Sequence, residues 1–514
     1  MKINLWLNKY FPSICLLIFT FFFLLRLLII GSKSTDLAGI EQNVIYSIQT
    51  FLYTGKLYFS PSDAPFSITQ YTPLYYYLCT FTAKLTGCSA NEIHALYLIA
   101  RGWNLMFNII SACFIFTFSH SILSLSRNRS YLLFLLSFTI LVTHNFAARP
   151  DSLHDMMGIA SIYFFSKFHK NKLKDDSSLL LLLLSIILSA VAVFAKQSGI
   201  QFIIILTVYS ILTRDWKTLA KTIISATIIY SLFIAFFRYI HPAFFQNVIG
   251  GVINGIDIKN FCSYILLNKV FILSVWPIVI CTLFILVKTN CIFSGPNNIR
   301  LLGTAVLGTL LFATATALKM GSTVQYYNVF INLSLMFIIA YFSTEDLIDK
   351  SFSHSQTTLV LNAFLFFIIA LYGAQNIKTI YRFDHNPVLE AQRIAARKAA
   401  DYILNRGSEN SGRYVFANLA TDFNIPSRQS INNILYKNCL VPQMDILEYS
   451  TGPSKVVGYI NLHEMLINGE IEYIIESRPK NRFAILNDLE EIRKSKYILV
   501  KEIEGYLIYK YSSN

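Results

Sequence analysis

Long apolar runs separated by short polar connections constrain the fold of this chain more than any other feature of its sequence. A membrane-spanning helix needs about 20 predominantly apolar residues. With 54% hydrophobic and only 14% charged residues, the chain is predicted to be a polytopic α-helical membrane protein rather than a soluble enzyme or a disordered chain. Eleven segments are predicted to span: 11–31, 98–123, 131–147, 153–167, 178–195, 199–213, 220–239, 264–287, 301–318, 326–342 and 359–377.

Positive charge predicts the orientation of these segments. The net charge is +14, of which residues 379–514 contribute only +1, from 17 Lys and Arg against 16 Asp and Glu. The remaining charge lies in the membrane part, where Lys and Arg mark cytoplasmic loops. The positive connections fall on alternate sides, which predicts a multi-pass protein of the inner or plasma membrane with a cytoplasmic N-terminus. Because no basic stripe with interleaved aromatic residues is present, nucleic acid is not predicted as a partner.

The stretch YTPLYYYLCTFTAKL at 71–85 resembles a further span. Crossing there would move every later positive connection to the opposite side of the membrane. Pro73 also suits the first turn of a short helix. We therefore predict that this stretch lies at the outer interface, with its tyrosines as amphipathic anchors.

The C-terminal part differs in pattern from the rest. A helix is predicted over 389–404, and strands in GRYVFANLA, EYIIES and KYILVKEIEGYLIYKY, the last with Glu504-Gly505 as a hairpin turn. The predicted organisation is a transmembrane domain at 1–378, with its first outer loop at 32–97, followed by a small extracytoplasmic α/β domain at 379–514.

Cysteine and histidine give no metal signature. The eight cysteines include no CxxC pair and no Cys/His ligand spacing, so no structural metal site is predicted. His144 and His154 flank the ARPD loop and could meet in space. Histidines satisfied at helix ends are the simpler interpretation.

Acidic residues of the first outer loop are candidates for acid–base chemistry. Asp36 and Glu41 precede an amphipathic helix predicted over 40–52, with Gly55 as its stop. A carboxylate in a partly desolvated pocket can act as a general base. The alternative is that both are solvated acids stabilised by the helix dipole.

Polar residues at the other outer boundaries form a second group of candidates. Ionisable groups there are costly and tend to mark function, and arginine suits the oxygens of a phosphate. The alternatives are an ion pair with Asp151 as N-cap, snorkelling cations and an interfacial aromatic turn. Together they suggest an outward-facing cavity that binds a lipid phosphate. The candidates are Tyr71, Arg101, Arg149, Asp151, Lys196, Gln197, Lys319 and Tyr326.

Six motifs give the chain a resemblance to a known family. They are GIEQN at 39–43, TGKLY at 54–58, QYTPLYYYL at 70–78, ARPDSL at 148–153, AKQSG at 195–199 and KMGSTVQYY at 319–327. In this order the chain resembles the GT-C membrane glycosyltransferases of the family-39 type, near the protein O-mannosyltransferases and the lipid A aminoarabinose transferases. The resemblance covers roughly residues 10–380.

The resemblance implies a reaction and roles for the candidates. It implies inverting transfer of a sugar from a polyprenyl-phosphate donor to a glycan, lipid or protein acceptor on the outer face. Glu41, with Asp36 as second choice, would take the acceptor's proton, although many members have two adjacent acids where this chain has Glu41-Gln42. The cations would hold the lipid phosphate, and Asp151 would orient an arginine or bind the acceptor. No cofactor is implied with certainty, and a divalent cation stays open.

Other functions remain open at this level. A transporter or flippase for a lipid-linked glycan would show inverted repeats and broken helices, and neither is seen in the sequence. A polymerase or ligase for lipid-linked glycans would favour a larger outer loop between later spans. A non-catalytic membrane scaffold is the fourth alternative.

Overall fold

The computed structural model describes most of the chain. Its described residues are 2–32, 41–172, 178–253, 255–319, 322–343, 354–384, 387–406, 413–418, 430–443, 446, 462–477 and 489–512. Asp36 lies outside them, so the structure gives no account of that candidate.

The membrane part is built from helices, because a backbone in lipid must satisfy its own hydrogen bonds. Short 3-10 or π turns adjoin several of them, such as Phe118–Ile122 after the fourth helix and Phe271–Val275 before the twelfth. In chain order the helices are α1 (Lys2–Ile30), α2 (Glu41–Thr54), α3 (Leu74–Leu85), α4 (Ile93–Thr117), α5 (Arg127–His144), α6 (Asp151–Asn171), α7 (Ser178–Ala195), α8 (Ile200–Leu212), α9 (Trp216–Ile240), α10 (Phe244–Val248), α11 (Ile258–Asn260), α12 (Trp276–Thr289), α13 (Cys291–Ser294), α14 (Asn297–Ala317), α15 (Asn328–Tyr341) and α16 (His354–Asp384).

Ten of the eleven predicted spans coincide with a helix, whereas the predicted span 264–287 begins in the π turn Phe261–Leu266 and continues, after a break, through Phe271–Val275 into α12. Within the described residues, eight helices are long and apolar enough to cross a membrane. The other three are α5 and α6, which carry polar residues near their ends, and α8, which is only 13 residues long. The chain is therefore a multi-pass membrane protein. α15 lies near the centre of the bundle, where 78% of the residues in its 18-residue apolar stretch are buried. α9 lies at the rim, where the corresponding share is 6%.

Two short helices occupy the first outer loop. α2 ends before Gly55, which adopts φ +72°, a conformation that favours glycine. α3 has 12 residues and is therefore about 18 Å long, too short to span the hydrocarbon core. The prediction that the tyrosines of this stretch anchor it to the lipid interface is wrong for Tyr75 and Tyr76 of α3 and for Tyr71, which precedes the helix. All three side chains are buried in the protein, in one apolar cluster with residues of α2 and α4.

The C-terminal part forms the predicted α/β unit. Its helices are α17 (Pro387–Leu404), α18 (Ser430–Ile434), α19 (Leu462–Ile467) and α20 (Leu489–Lys496), and its strands are β1 (Tyr414–Asn418), β2 (Cys439–Leu440), β3 (Ile471–Ser477), β4 (Tyr497–Ile503) and β5 (Tyr506–Tyr511). The sheet order is β2-β1-β3-β5-β4, with β1 parallel to β2 and β3, and β5 antiparallel to β3 and β4. Glu504 and Gly505 both have positive φ, as a tight hairpin turn requires. This confirms the predicted turn.

The membrane part extends beyond the predicted domain boundary, because α16 continues to Asp384. We propose that the boundary lies after Asp384 rather than at residue 378. The sheet unit packs directly on the first outer loop. Asn433 bonds the side chain of Gln49 on α2, and Gln443 accepts hydrogen bonds from the Ile68 backbone amide and the Ser67 hydroxyl.

Candidate functional site

Two helices, α1 and α4, hold the backbone of the loop between α5 and α6. The buried Arg26 of α1 donates to the carbonyls of Asn145, the C-cap residue of α5, and of Phe146 in the loop. Asn104 of α4 donates to the carbonyl of Ala147. Since the loop also carries Arg149, these contacts fix the position of that guanidinium.

The pair Glu41–Arg101 holds the same loop from the other side. Arg101 donates from Nε and Nη2 to the two Glu41 carboxylate oxygens at 2.8 Å each, and the Ala148 amide donates to Glu41 Oε1 at 2.5 Å. Both side chains are 0% exposed. The pair connects α2 and α4 to the ARPD loop.

Arg149, Asp151 and Lys196 form a compact charged cluster at the end of the bundle where α6 begins and α7 ends. Lys196 Nζ lies 2.5 Å from Asp151 Oδ1, and Arg149 Nε lies 3.2 Å from Asp151 Oδ2. All three side chains are nearly buried. Asp151 is the first residue of α6, while Pro150 holds the N-cap position. The alternative of Asp151 as N-cap is therefore wrong by one residue, because the proline ring already fixes the entry into the helix.

The charges of the two cations are maintained by their carboxylate partner. Burial acts to lower the pKa of Lys196, but Asp151 outweighs it and raises that pKa above its ordinary value. The same balance raises the pKa of Arg149. Lys319 differs, since burial lowers its pKa and the charge of Lys196 lowers it further. Arg149 and Lys196 therefore keep their positive charges, and the half-buried Lys319 lies close enough for the charge of Lys196 to lower its pKa.

Aromatic and amide groups surround the cluster. Lys196 Nζ lies 4.2 Å from the centre of the Tyr326 ring and 5.8 Å from that of Tyr71. Arg149 donates to the Tyr71 hydroxyl at 3.1 Å. The Gln325 side-chain oxygen, turned towards Arg149, accepts hydrogen bonds from Nη1 and Nη2 at 2.6 and 2.9 Å.

Five predicted residues are therefore brought together, and two others are not. The structure gathers Tyr71, Arg149, Asp151, Lys196 and Tyr326. Arg101 is bound to Glu41 instead. Gln197 donates to the backbone carbonyls at positions 70 and 248, so it ties two outer segments to each other.

A pocket opens beside the cluster and contains residues outside the predicted set of donor-site candidates. It is lined by Asp151, Lys196 and Tyr326, and also by His154, Asp155, Ser198 and Gln201. Asp151, His154 and Asp155 share one face of α6 because they are three and four residues apart. That spacing was visible in the sequence, but nothing in it showed which face meets a pocket.

The pocket does not have the ligand set of a metal site. Within the part of the chain that the structure describes, no group of three or more His, Cys, Asp or Glu is placed to hold a metal ion. His144 bonds Asn328 at 2.5 Å, and His154 bonds Asp155 at 2.9 Å, so the two histidines are linked through neighbours and not through a shared ligand position.

These helices, the short helices of the first outer loop and the C-terminal sheet define the GT-C fold of membrane transferases. ArnT from Cupriavidus metallidurans bound to undecaprenyl phosphate is similar at a TM-score of 0.59, with 11% identity over 99% of this chain and 98% of that one. The oligosaccharyltransferase AglB from Archaeoglobus fulgidus, in complex with an inhibitory peptide and dolichol-phosphate, is similar at 0.54, with 10% identity over 99% of this chain and 75% of that one.

A third structure, of an oligosaccharyltransferase from Archaeoglobus fulgidus in complex with Zn and sulfate, is similar at a TM-score of 0.52 and 12% identity, over 98% of this chain and 73% of that one. No protein-family profile matches the chain, and no curated protein matches it. At these identities the likeness shows the fold alone.

Proposed function

We propose that this chain is an inverting membrane glycosyltransferase that uses a polyprenyl-phosphate-linked sugar as donor and an extracytoplasmic glycan, lipid or protein as acceptor. The observation that carries the proposal is the buried cluster of Arg149, Lys196 and Asp151 beside an open pocket. Two structures with this fold contain a polyprenyl-type phosphate, undecaprenyl phosphate in ArnT and dolichol-phosphate in AglB.

The formal charges around the pocket suit such a donor. Arg149, Lys196 and the adjacent Lys319 carry three positive charges against the two negative charges of Asp151 and Asp155. A buried excess cation is costly without an anion, and the single negative charge of a sugar phosphodiester would balance it. As the sugar leaves, the second charge that develops on the phosphate would be stabilised by the same cations.

The aromatic rings would contribute to donor binding. Tyr326 lines the pocket beside Lys196, where its ring would pack against the sugar, and Tyr71 contacts both Arg149 and Lys196. Because their positions are fixed by contacts to the cations, they would orient the anomeric carbon towards the acceptor.

The base of the reaction must lie where an acceptor can reach it. Glu41 has both oxygens occupied by Arg101 and Ala148, so it suits the role of holding the ARPD loop better than that of a base. Asp36 keeps its place as a candidate from the first outer loop. We further propose that the pocket faces the extracytoplasmic side of a cell membrane and that the sheet unit lies on that side, since it packs on the first outer loop.

Binding of polyprenyl phosphate tests the donor site directly. Lys196→Met should weaken binding of undecaprenyl phosphate about 10- to 100-fold, because a charge-assisted contact is worth about 1.5–3 kcal/mol. Lys217→Met, an exposed lysine on α9, is the matched control and should bind as the wild type does. Equal binding by wild type and Lys196→Met would contradict the proposed site.

A further inference from the structure

The pocket contains a histidine–carboxylate pair that the proposed donor site does not use. His154 Nδ1 lies 2.9 Å from Asp155 Oδ1, and both side chains are nearly buried. An ionised carboxylate only accepts hydrogen bonds, so Nδ1 carries the proton. The Nε2 atom of the neutral imidazole is therefore an acceptor.

The second ring nitrogen of His154, Nε2, lies at the pocket and has two polar neighbours. His154 Nε2 lies 3.2 Å from the Ser198 hydroxyl and 3.3 Å from the Gln201 amide nitrogen, and all three residues line the pocket. The Ser198 contact shows that a hydroxyl group fits against Nε2. The Phe202 ring packs 5.2 Å from the imidazole on its other side and restricts its rotation.

The carboxylate of the pair is itself fixed. Asp155 Oδ2 accepts hydrogen bonds from the side-chain amides of Asn145, at 3.0 Å, and Asn328, at 3.3 Å. Asn328 in turn bonds His144. Asp155 thus has one oxygen for the imidazole and the other for a buried network, an arrangement that holds an imidazole in one tautomer and stabilises it when it becomes charged.

We propose that His154 is the general base of the transfer, that Asp155 positions it, and that the acceptor group is a hydroxyl. The inference rests on the proposed function. The acceptor oxygen forms a bond to the anomeric carbon while its proton passes to His154 Nε2. The bond from the anomeric carbon to the phosphate oxygen breaks, and its electron pair leaves with the polyprenyl phosphate. The imidazolium then returns its proton to water at the pocket opening.

A general base is needed only by a nucleophile that loses a proton on attack. Comparing water with azide therefore separates a catalytic role of His154 from a structural one. Donor hydrolysis uses water as the hydroxyl acceptor and needs a base, whereas azide attacks without losing a proton. With purified full-length protein and a polyprenyl-phosphate sugar, His154→Gln should lower hydrolysis by about 10²- to 10⁴-fold, the usual contribution of a general base. Formation of the glycosyl azide should stay within about threefold of wild type.

Asp155→Asn should show the same selective loss, to a smaller extent, because it acts through the imidazole. The matched control is His169→Ala on the same helix, whose side chain packs among Phe165, Phe168 and Tyr209 away from the pocket. It should change neither reaction. Binding of undecaprenyl phosphate and the thermal unfolding temperature are recorded for each variant.

The outcomes are distinct. Hydrolysis by His154→Gln at the wild-type rate overturns the inference and leaves the proposed function intact. So does the azide-selective pattern in Asp36→Asn or Glu41→Gln instead of His154→Gln. Loss of both reactions in His154→Gln with phosphate binding retained also overturns it, since a base is not needed for azide. Absence of both reactions in the wild type contradicts the proposed function, and the inference with it.

Discussion

The ion pair between Glu41 and Arg101 is fully buried and links two helices, so single substitutions in it should affect stability strongly. Glu41→Gln would remove the carboxylate that contacts Nε and Nη2 of the buried Arg101, and breaking a buried pair costs about 3–5 kcal/mol. We expect a clearly lower unfolding temperature in detergent for this variant. The double variant Glu41→Met/Arg101→Met, which removes both charges, should recover part of the loss. An unchanged unfolding temperature with transfer abolished would instead identify Glu41 as the base.

Residue types and local spacing predicted part of the site, and only part. Tyr71, Arg149, Asp151, Lys196 and Tyr326 were predicted because cations and acids at membrane boundaries are costly. The pairing of Glu41 with Arg101, across 60 residues, depends on how the helices pack and leaves no local signal. The same holds for His154, whose environment is completed by Ser198 and Gln201 from a later turn.

At the scale of elements, the packing of α6 against α8 depends on one glycine. A Cβ added at Gly158 would lie 1.8 Å from Cζ of the Phe202 ring. Alanine gains up to about 1 kcal/mol of helix propensity over glycine, whereas overpacking costs about 1–3 kcal/mol. Since the obstacle is a fully buried ring, we expect Gly158→Ala to lower the unfolding temperature.

A second substitution checks the cause. Phe202→Leu in the Gly158→Ala background should restore much of the loss, because it removes the ring that the new methyl group meets. A higher unfolding temperature for Gly158→Ala alone would show that α6 and α8 can separate more easily than their packing indicates.

The sequence predicted the elements themselves well where the pattern had one physical meaning. Apolar runs located the eleven long helices, and glycine located the end of α2. A tyrosine-rich amphipathic helix suits both a lipid interface and a protein core. The sequence therefore predicted a lipid interface for Tyr75 and Tyr76 of α3, whereas the packing of α2, α3 and α4 buries both side chains in the protein.

At the scale of the whole molecule, the docking of the sheet unit on the first outer loop is specific. Gln443→Ala would leave the buried Ile68 amide without its acceptor, at a cost of about 1–3 kcal/mol. We expect amide hydrogen exchange at Ile68 to rise by tenfold or more. Lys501→Ala, exposed on β4, should leave it unchanged. Equal exchange in the two variants would show that this contact does not hold the units together.

The proposed orientation predicts which ends of the molecule are accessible. In a background without the exposed Cys113 and Cys262, Lys501→Cys should react with a membrane-impermeant maleimide applied to intact cells or right-side-out vesicles. Lys217→Cys should react only after the membrane is opened. The reverse pattern would place the sheet unit and the pocket on the cytoplasmic side.

The central claim is that the cation cluster at the pocket handles the phosphate of a polyprenyl-linked sugar. The most direct test is release of polyprenyl phosphate from a panel of radiolabelled polyprenyl-phosphate sugars by purified protein in lipid nanodiscs. We expect release by the wild type with at least one donor, its loss in Lys196→Met, and its retention in Lys217→Met. A folded wild type that releases no polyprenyl phosphate from any donor, or a Lys196→Met variant that releases it as fast, would contradict the account.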